Sequence, residues 1–115
     1  MKVLKFGGSS VANASNIEKV IAIVLEQLAT EKIVVVVSAM GGVTDALLKI
    51  AALASTADET YKEVLTELEH KHLDAVRSLL PIQQQSATLS LVKQYINELE
   101  GICDGIYLLK ELSPR

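Results

Sequence analysis

Met1-Lys-Val-Leu-Lys-Phe-Gly-Gly-Ser-Ser-Val-Ala-Asn13 opens the chain, and its reading decides the fold. A short apolar run closes on a lysine and runs straight into a Gly-Gly-Ser-Ser turn, and the pattern up to about Leu28 then reads as a helix. A strand that stops at Lys5-Phe6 and gives way to two glycines and a helix is an arrangement suited to phosphate. Glycines let backbone N–H groups come close to an anion. A helix N-terminus adds unpaired donors and a favourable dipole. Lys5 adds a full positive charge at the strand tip. The stretch contains neither the Gly-x-x-x-x-Gly-Lys-Ser/Thr of a Walker A loop nor the Gly-x-Gly-x-x-Gly of a dinucleotide fingerprint.

Working outward, the first strand is read as Lys2–Phe6. Ser15-Asn-Ile-Glu18 has capping-box spacing and is expected to start the first helix. Ile17, Val20, Ile21, Val24, Leu25 and Leu28 follow at helical spacing on one face, and the helix is over by about Thr30. Ile33–Val37 is a continuous β-branched run without alternation, so it is expected to be a strand buried on both faces. Strand, helix and strand make a βαβ unit with parallel strands and a right-handed crossover. Both strands then end on the same sheet edge, where open α/β sheets bind ligands. A second glycine turn, Ser38-Ala-Met-Gly-Gly42, leads into a helix over about Val43–Ala54, with Leu47, Ile50, Ala51 and Ala54 inward.

From Ser55 the pattern changes. Thr56-Ala-Asp-Glu59 is a second capping-box candidate. Tyr61, Val64, Leu65, Leu68, His72, Val76, Leu79 and Leu80 mark a helix that Pro81 ends. Ile82–Gln85 reads as a connector. Leu89, Val92, Ile96, Leu99, Cys103 and Ile106 mark a last helix, ending near Lys110, that packs on its predecessor as an antiparallel hairpin. Gly101 and Gly105 are expected to permit a close helix approach. The chain thus divides into a βαβα part, residues 1–54, and a helical hairpin, residues 55–115.

Half of the 115 residues are hydrophobic, enough for a packed core. Aromatic residues are only 3% with no Trp, which argues against a stacking platform for single-stranded nucleic acid. A formal charge of −3 argues against non-specific nucleic-acid binding. No apolar segment reaches membrane-spanning length, and Lys2 and Lys5 interrupt the apolar start, so no membrane association and a cytoplasmic location are expected. The single cysteine, Cys103, sits in an apolar helical stretch and reads as a small buried hydrophobe.

Lys5 is the sharpest candidate for chemistry: a strand-tip lysine beside a glycine turn can hold transferring phosphates and offset transition-state charge. The bland alternative is a solvated lysine like Lys2. Gly7 and Gly8 give the backbone its approach to phosphate, or make an ordinary tight turn. Ser9 and Ser10 either bind phosphate or cap the turn. Thr44, from the residues alone, is better read as a helix cap. His70 and His72 lie two apart on a helix and do not share a face, so they make no metal pair. Asp58, Glu59, Glu63, Glu67 and Glu69 read as a solvated face, and Glu111 carries no catalytic role. No metal-ligand cluster is visible.

Lys5-Phe-Gly-Gly-Ser-Ser-Val11 together with Val34-Val-Val-Val-Ser-Ala-Met-Gly-Gly-Val-Thr-Asp45 resembles the N-terminal part of the aspartokinases, within the amino-acid kinase fold. Ser9 stands where that family often has threonine, which keeps the hydroxyl. The resemblance extends along the whole chain but is specific only over residues 1–45. The hairpin and the tail Leu108-Leu-Lys-Glu-Leu-Ser-Pro-Arg115 look most like aspartokinases fused to homoserine dehydrogenase.

The resemblance implies the N-terminal part of a three-layer αβα sandwich. It implies transfer of the ATP γ-phosphoryl group to the β-carboxylate of L-aspartate, the first step of lysine, threonine and methionine biosynthesis. Lys5 is then the catalytic residue, and Lys5, Phe6, Gly7, Gly8 and Ser9 bind ATP. Ser38 and Thr44 face the amino acid, and Mg²⁺ arrives with ATP, held mainly by its phosphates. Two strands and four helices cannot complete such a sandwich, so these 115 residues alone are expected to be inactive and to form a homo-oligomer. A kinase with a different amino-acid acceptor, and a non-catalytic helical module with structural glycine turns, stand as alternatives.

Overall fold

The computed structural model describes residues 1–112, in two compact units: Met1–Thr44, and a helical unit from Asp45 onward. Ser113-Pro-Arg115, the end of the tail compared above with the fused enzymes, lies outside the described residues.

In the first unit, β1 (Lys2–Phe6) and β2 (Ile33–Val37) form a two-stranded parallel sheet joined by helix α1 (Ala14–Leu28). The register runs from Lys2 opposite Ile33 to Phe6 opposite Val37. A parallel pair needs a long crossover, and α1 supplies it. Lys2 ties the ends together: its Nζ donates to Gln27 Oε1 at 2.7 Å and lies 3.9 Å from a Glu31 carboxylate oxygen. Helix α1 covers one sheet face. Val35 and Val37 line a groove of about 420 Å³ with Ile17, Val20, Ile21, Val24 and Leu25. Alternation along the strands puts Val3, Lys5, Val34 and Val36 on the opposite face.

The expectation that β2 is buried on both faces is overturned: Val34–Val37 are 41–58% exposed. The physical reason is the number of covering elements. One helix lies over one face, its groove stays open, and the unit has no second helix for the other face. The same cause leaves Ile21, Leu25 and Leu28 of the α1 stripe exposed, with Val20 its buried residue. Helix α1 also begins differently from the capping-box reading. Asn13, extended at φ −154°, is the N-cap, and its Oδ1 accepts from the Asn16 N–H at 2.9 Å. Ser15 already lies inside the helix. Such a cap is worth about 1 kcal/mol.

Helix α2 (Val43–Ser55) begins in the last residues of the first unit. It buries Val43, Ile50 and Ala54, which fall on one narrow row, while Leu47 and Ala51, one step round the helix, are exposed. Its end is closed by Ala57, which adopts a left-handed φ of 56°, with the Asp58 N–H donating to Leu53 O at 2.9 Å. The Thr56 hydroxyl donates to Ala52 O at 3.0 Å, so Thr56 finishes α2 and does not open the next helix as a capping box.

Helices α3 (Tyr61–Leu79) and α4 (Ile82–Leu112) form the antiparallel hairpin. Tyr61 at the start of α3 donates its hydroxyl to Asp104 near the end of α4 and packs at 5.8 Å from the Tyr107 ring. Midway, Lys93 lies 3.3 Å from Glu69. The expected connector Ile82–Gln85 is helical. Pro81 O accepts the Gln84 N–H at 2.8 Å, and Gln85 Nε2 donates to Leu80 O at 2.8 Å and Arg77 O at 3.2 Å, which satisfies carbonyls at the end of α3. Tyr61, Leu65, Leu68, Leu73, Ala75, Val76 and Cys103 make the core. Cys103 is 3% exposed, and burial pushes its thiol above the ordinary range, as burial and then Asp104 do for the Tyr61 phenol. Gly101 and Gly105 do not mediate helix approach: both are exposed, and a Cβ on either would meet open space.

Candidate phosphate-binding site

The sheet brings both glycine turns to one edge, because β1 and β2 are parallel and end in register at Phe6 and Val37. The turns touch. A Cβ built on Gly8 lies 3.6 Å from Ala39 O and 3.8 Å from Ser38 Oγ. One built on Gly41 lies 3.0 Å from the Ala12 Cβ and 3.3 Å from Gly8 O. A side chain at Gly41 would be tight against Ala12 and the Gly8 backbone, which would have to give by a few tenths of an ångström, whereas Gly42 is favoured by its positive φ of 82°. Gly7 and Gly8 have no positive φ, and a side chain at Gly7 would enter open space. Backbone angles therefore do not demand glycine at either position. What glycine keeps there is room.

The hydrogen bonds of the first turn run inward through its carbonyls. Gly7 O accepts from the Ser10 N–H at 3.1 Å and the Val11 N–H at 3.3 Å, and Ser9 O accepts from Asn16 Nδ2 at 3.0 Å. Ser38 N–H donates to Phe6 O at 3.0 Å, which continues the ladder one step past β2. Among the described residues, the amides of Gly7, Gly8, Ser9, Ala39, Met40, Gly41 and Gly42 have no acceptor. Two touching turns thus present a set of free N–H donors at the end of the sheet, the electrostatic requirement of an anion site.

The sequence-derived residues are placed as follows. Lys5 is exposed on the face opposite α1, in register with Val36, and forms no ion pair among the described residues. Phe6 is half-buried and lines a recess of about 170 Å³ with Ser10, Asn16, Lys19, Val20 and Ile23. The Ser9 and Ser10 side chains are exposed and form no hydrogen bond among the described residues, so neither caps the turn. Ser38 stands beside Gly8. Thr44 is exposed in the first turn of α2, one residue inside it, and does not cap that helix. Sequence reasoning missed Asn13, Asn16 and Ala12. Asn13 was legible as a favoured capping residue; the Asn16 bond to Ser9 and the Ala12 contact depend on the chain path and carry no local signal.

His72 Nδ1 lies 2.8 Å from Leu68 O, and His70 is exposed.

Similar proteins bear on the same edge. The model of the amino acid kinase family matches residues 1–103. The chain is 34% identical over 114 residues to the bifunctional aspartokinase/homoserine dehydrogenase of Buchnera aphidicola, covering 96% of this chain and 14% of that protein. It is also 34% identical over 116 residues to the chloroplastic aspartokinase 1 of Arabidopsis thaliana, covering 98% of this chain and 19% of that one. The chain therefore spans less than a fifth of the length of either relative. With a family match over nine-tenths of its residues and a parallel strand pair whose two glycine turns meet at one edge, the chain belongs to the amino acid kinase family.

Proposed function

We propose that this chain forms the phosphate- and amino-acid-binding edge of an aspartokinase. The reaction is transfer of the ATP γ-phosphoryl group to the β-carboxylate of L-aspartate. The bond between the γ-phosphorus and its bridging oxygen breaks, a carboxylate oxygen of aspartate bonds to that phosphorus, and ADP leaves with the electron pair. The observation that carries the reading is the pair of touching glycine turns with unpaired amides, at the tip of the strand bearing Lys5. Phosphoryl transfer asks little covalent chemistry of a protein. It asks for positioning and for donors aimed at phosphate oxygens. Lys5, Phe6, Gly7, Gly8 and Ser9 take the ATP side. Ser38 and Thr44, at the start of the second turn and just beyond it, take the aspartate side. Mg²⁺ is brought by ATP as part of the substrate. In the three-layer αβα sandwich that this reading implies, further strands and helices cover the exposed faces of β2.

The test is an amide NMR titration of this chain with MgATP. The Gly7, Gly8 and Gly41 amides are expected to shift together and saturably. Unmoved amides at millimolar MgATP overturn the reading.

We propose further that copies of this chain pair through β2. A two-stranded sheet is marginal by itself, and its outer edges carry unpaired backbone groups. The β1 edge is protected by Lys2 and Lys5, whereas Ile33–Val37 has no charge. An antiparallel pairing about Val35 sets Lys32 opposite Ser38 and Glu31 opposite Ala39, so no like charges meet. Analytical ultracentrifugation is expected to give a dimer, and Val34→Lys, on the open face, a monomer. A wild-type monomer at high concentration refutes the pairing.

A further inference from the structure

We propose that Asn16 is a positioning residue that sets the direction of the Gly8 N–H in the phosphate-binding turn. The inference rests on the functional reading above for what the N–H binds, but not for how it is held. Asn16 Nδ2 donates to Ser9 O at 3.0 Å, and the Ser10 N–H donates to Gly7 O at 3.1 Å. Ser9 O and the Ser10 N–H belong to one peptide group, so that plane is fixed at both ends. The described chain contains no cis peptide, and in a trans peptide the C=O and N–H point in opposite directions. Gly7 O is drawn into the turn by the Ser10 and Val11 N–H groups, so the Gly8 N–H of the same peptide points out of it. Asn16 thus acts two peptides away. Its amide holds the Ser9–Ser10 plane, that plane holds Gly7 O, and Gly7 O fixes the Gly8 donor.

The flexibility of the turn makes such a brace necessary. Gly7 and Gly8 in succession leave the backbone more freedom than any other residues would. The second turn touches Gly8, but the surroundings of Gly7 restrain it little, since nothing lies within 4 Å of a Cβ there. Unbraced, the Gly7–Gly8 peptide can rotate and present its carbonyl, which repels phosphate, in place of its N–H. The side chain of Asn16 is free for this task because the helix cap uses a different group of the same residue. Asn13 Oδ1 accepts from the backbone N–H of Asn16, not from its side chain. Capping of α1 and bracing of the turn therefore converge on one residue through separate atoms, and substitution can separate them.

Asn16→Asp is the informative variant. It keeps size, leaves the backbone cap intact and adds a negative charge in the first helical turn, where the dipole favours it. It lacks the donor and turns an oxygen toward Ser9 O. In the ligand-free protein, the Ser10 amide is expected to exchange with solvent markedly faster than in the wild type, and the Gly8 amide resonance to move. MgATP affinity, read from the glycine amides, is expected to fall about 5–10-fold, in line with the loss of one well-made hydrogen bond. Asn13→Ala is the counterpart: it should lower the stability of α1 while leaving MgATP affinity within twofold. Unchanged Ser10 exchange and an unmoved Gly8 amide in Asn16→Asp overturn the positioning role, whatever the nucleotide does. Equal losses of affinity in the two variants also overturn it, because they reduce the effect to helix stability. A wild-type chain that does not bind MgATP defeats the functional reading alone, and the ligand-free measurements still decide the role of Asn16.

Discussion

Lys5→Ala is expected to lower aspartokinase turnover by about 10²–10³-fold, the usual cost of removing one preorganised donor from a developing charge. The measurement needs a complete active site. It is best made in a chimaera in which these 115 residues replace the matching segment of the Buchnera aphidicola bifunctional enzyme, with and without the substitution. Lys5 lies on the open face of the sheet and forms no ion pair among the described residues, so its charge is not consumed within this unit. Removing it should therefore leave the fold intact, because no partner is stranded. The contrast is Lys2, whose ammonium group is engaged by Gln27 and Glu31. Lys2→Ala is expected to change turnover less than twofold. Near-normal turnover of a folded Lys5→Ala chimaera would falsify the catalytic assignment.

Gly41→Val is expected to have the other large effect, and it acts on the architecture of the site. Even a single Cβ at this position comes within 3.0 Å of the Ala12 Cβ and 3.3 Å of Gly8 O. Two further methyl groups cannot be accommodated unless the turns separate. Overpacking of this kind costs typically 1–3 kcal/mol. Denaturation followed on the amides of residues 1–44 should show that loss, and MgATP should no longer shift the Gly7 and Gly8 amides. Gly7→Ala is the control, since its Cβ enters open space. It should leave stability almost unchanged while weakening the binding that needs that space. If Gly41→Val binds MgATP as the wild type does, contact between the turns is irrelevant to the site.

Both strands, all four helices and the placing of the glycine turns at one edge followed from local patterns. A five-residue β-branched run, apolar spacing of three and four, and Gly-Gly pairs after each strand are properties of neighbours in the chain. They persist wherever the chain goes. Lys5, Gly7 and Gly8 were legible as candidates for the same reason, since a lysine and two glycines at a strand end define a small set of geometries.

Two corrections are local, since Asn13 caps α1 in place of Ser15 and Thr56 closes α2 through bonds three and four residues away; the others turn on how the chain packs or on cover absent from the unit. Ile82–Gln85 looked like a connector because Pro81 precedes it, yet Gln85 reaches back to Leu80 and Arg77 and holds it helical. Gly101 and Gly105 looked like an approach motif, but spacing does not say which side of α4 meets α3. Ile33–Val37 has the composition of a doubly covered strand, and composition states only what would be favourable to cover. Cover itself is a matter of how many elements reach the sheet, and within the first unit one helix reaches one face. At the site, the sequence by itself determined which turns exist and that parallel strands deliver them to a common edge. Only the tertiary structure decided that Gly41 sits against Ala12 and that Asn16 holds Ser9, because close contact and hydrogen-bond direction depend on the path of the backbone in space, which local pattern does not encode.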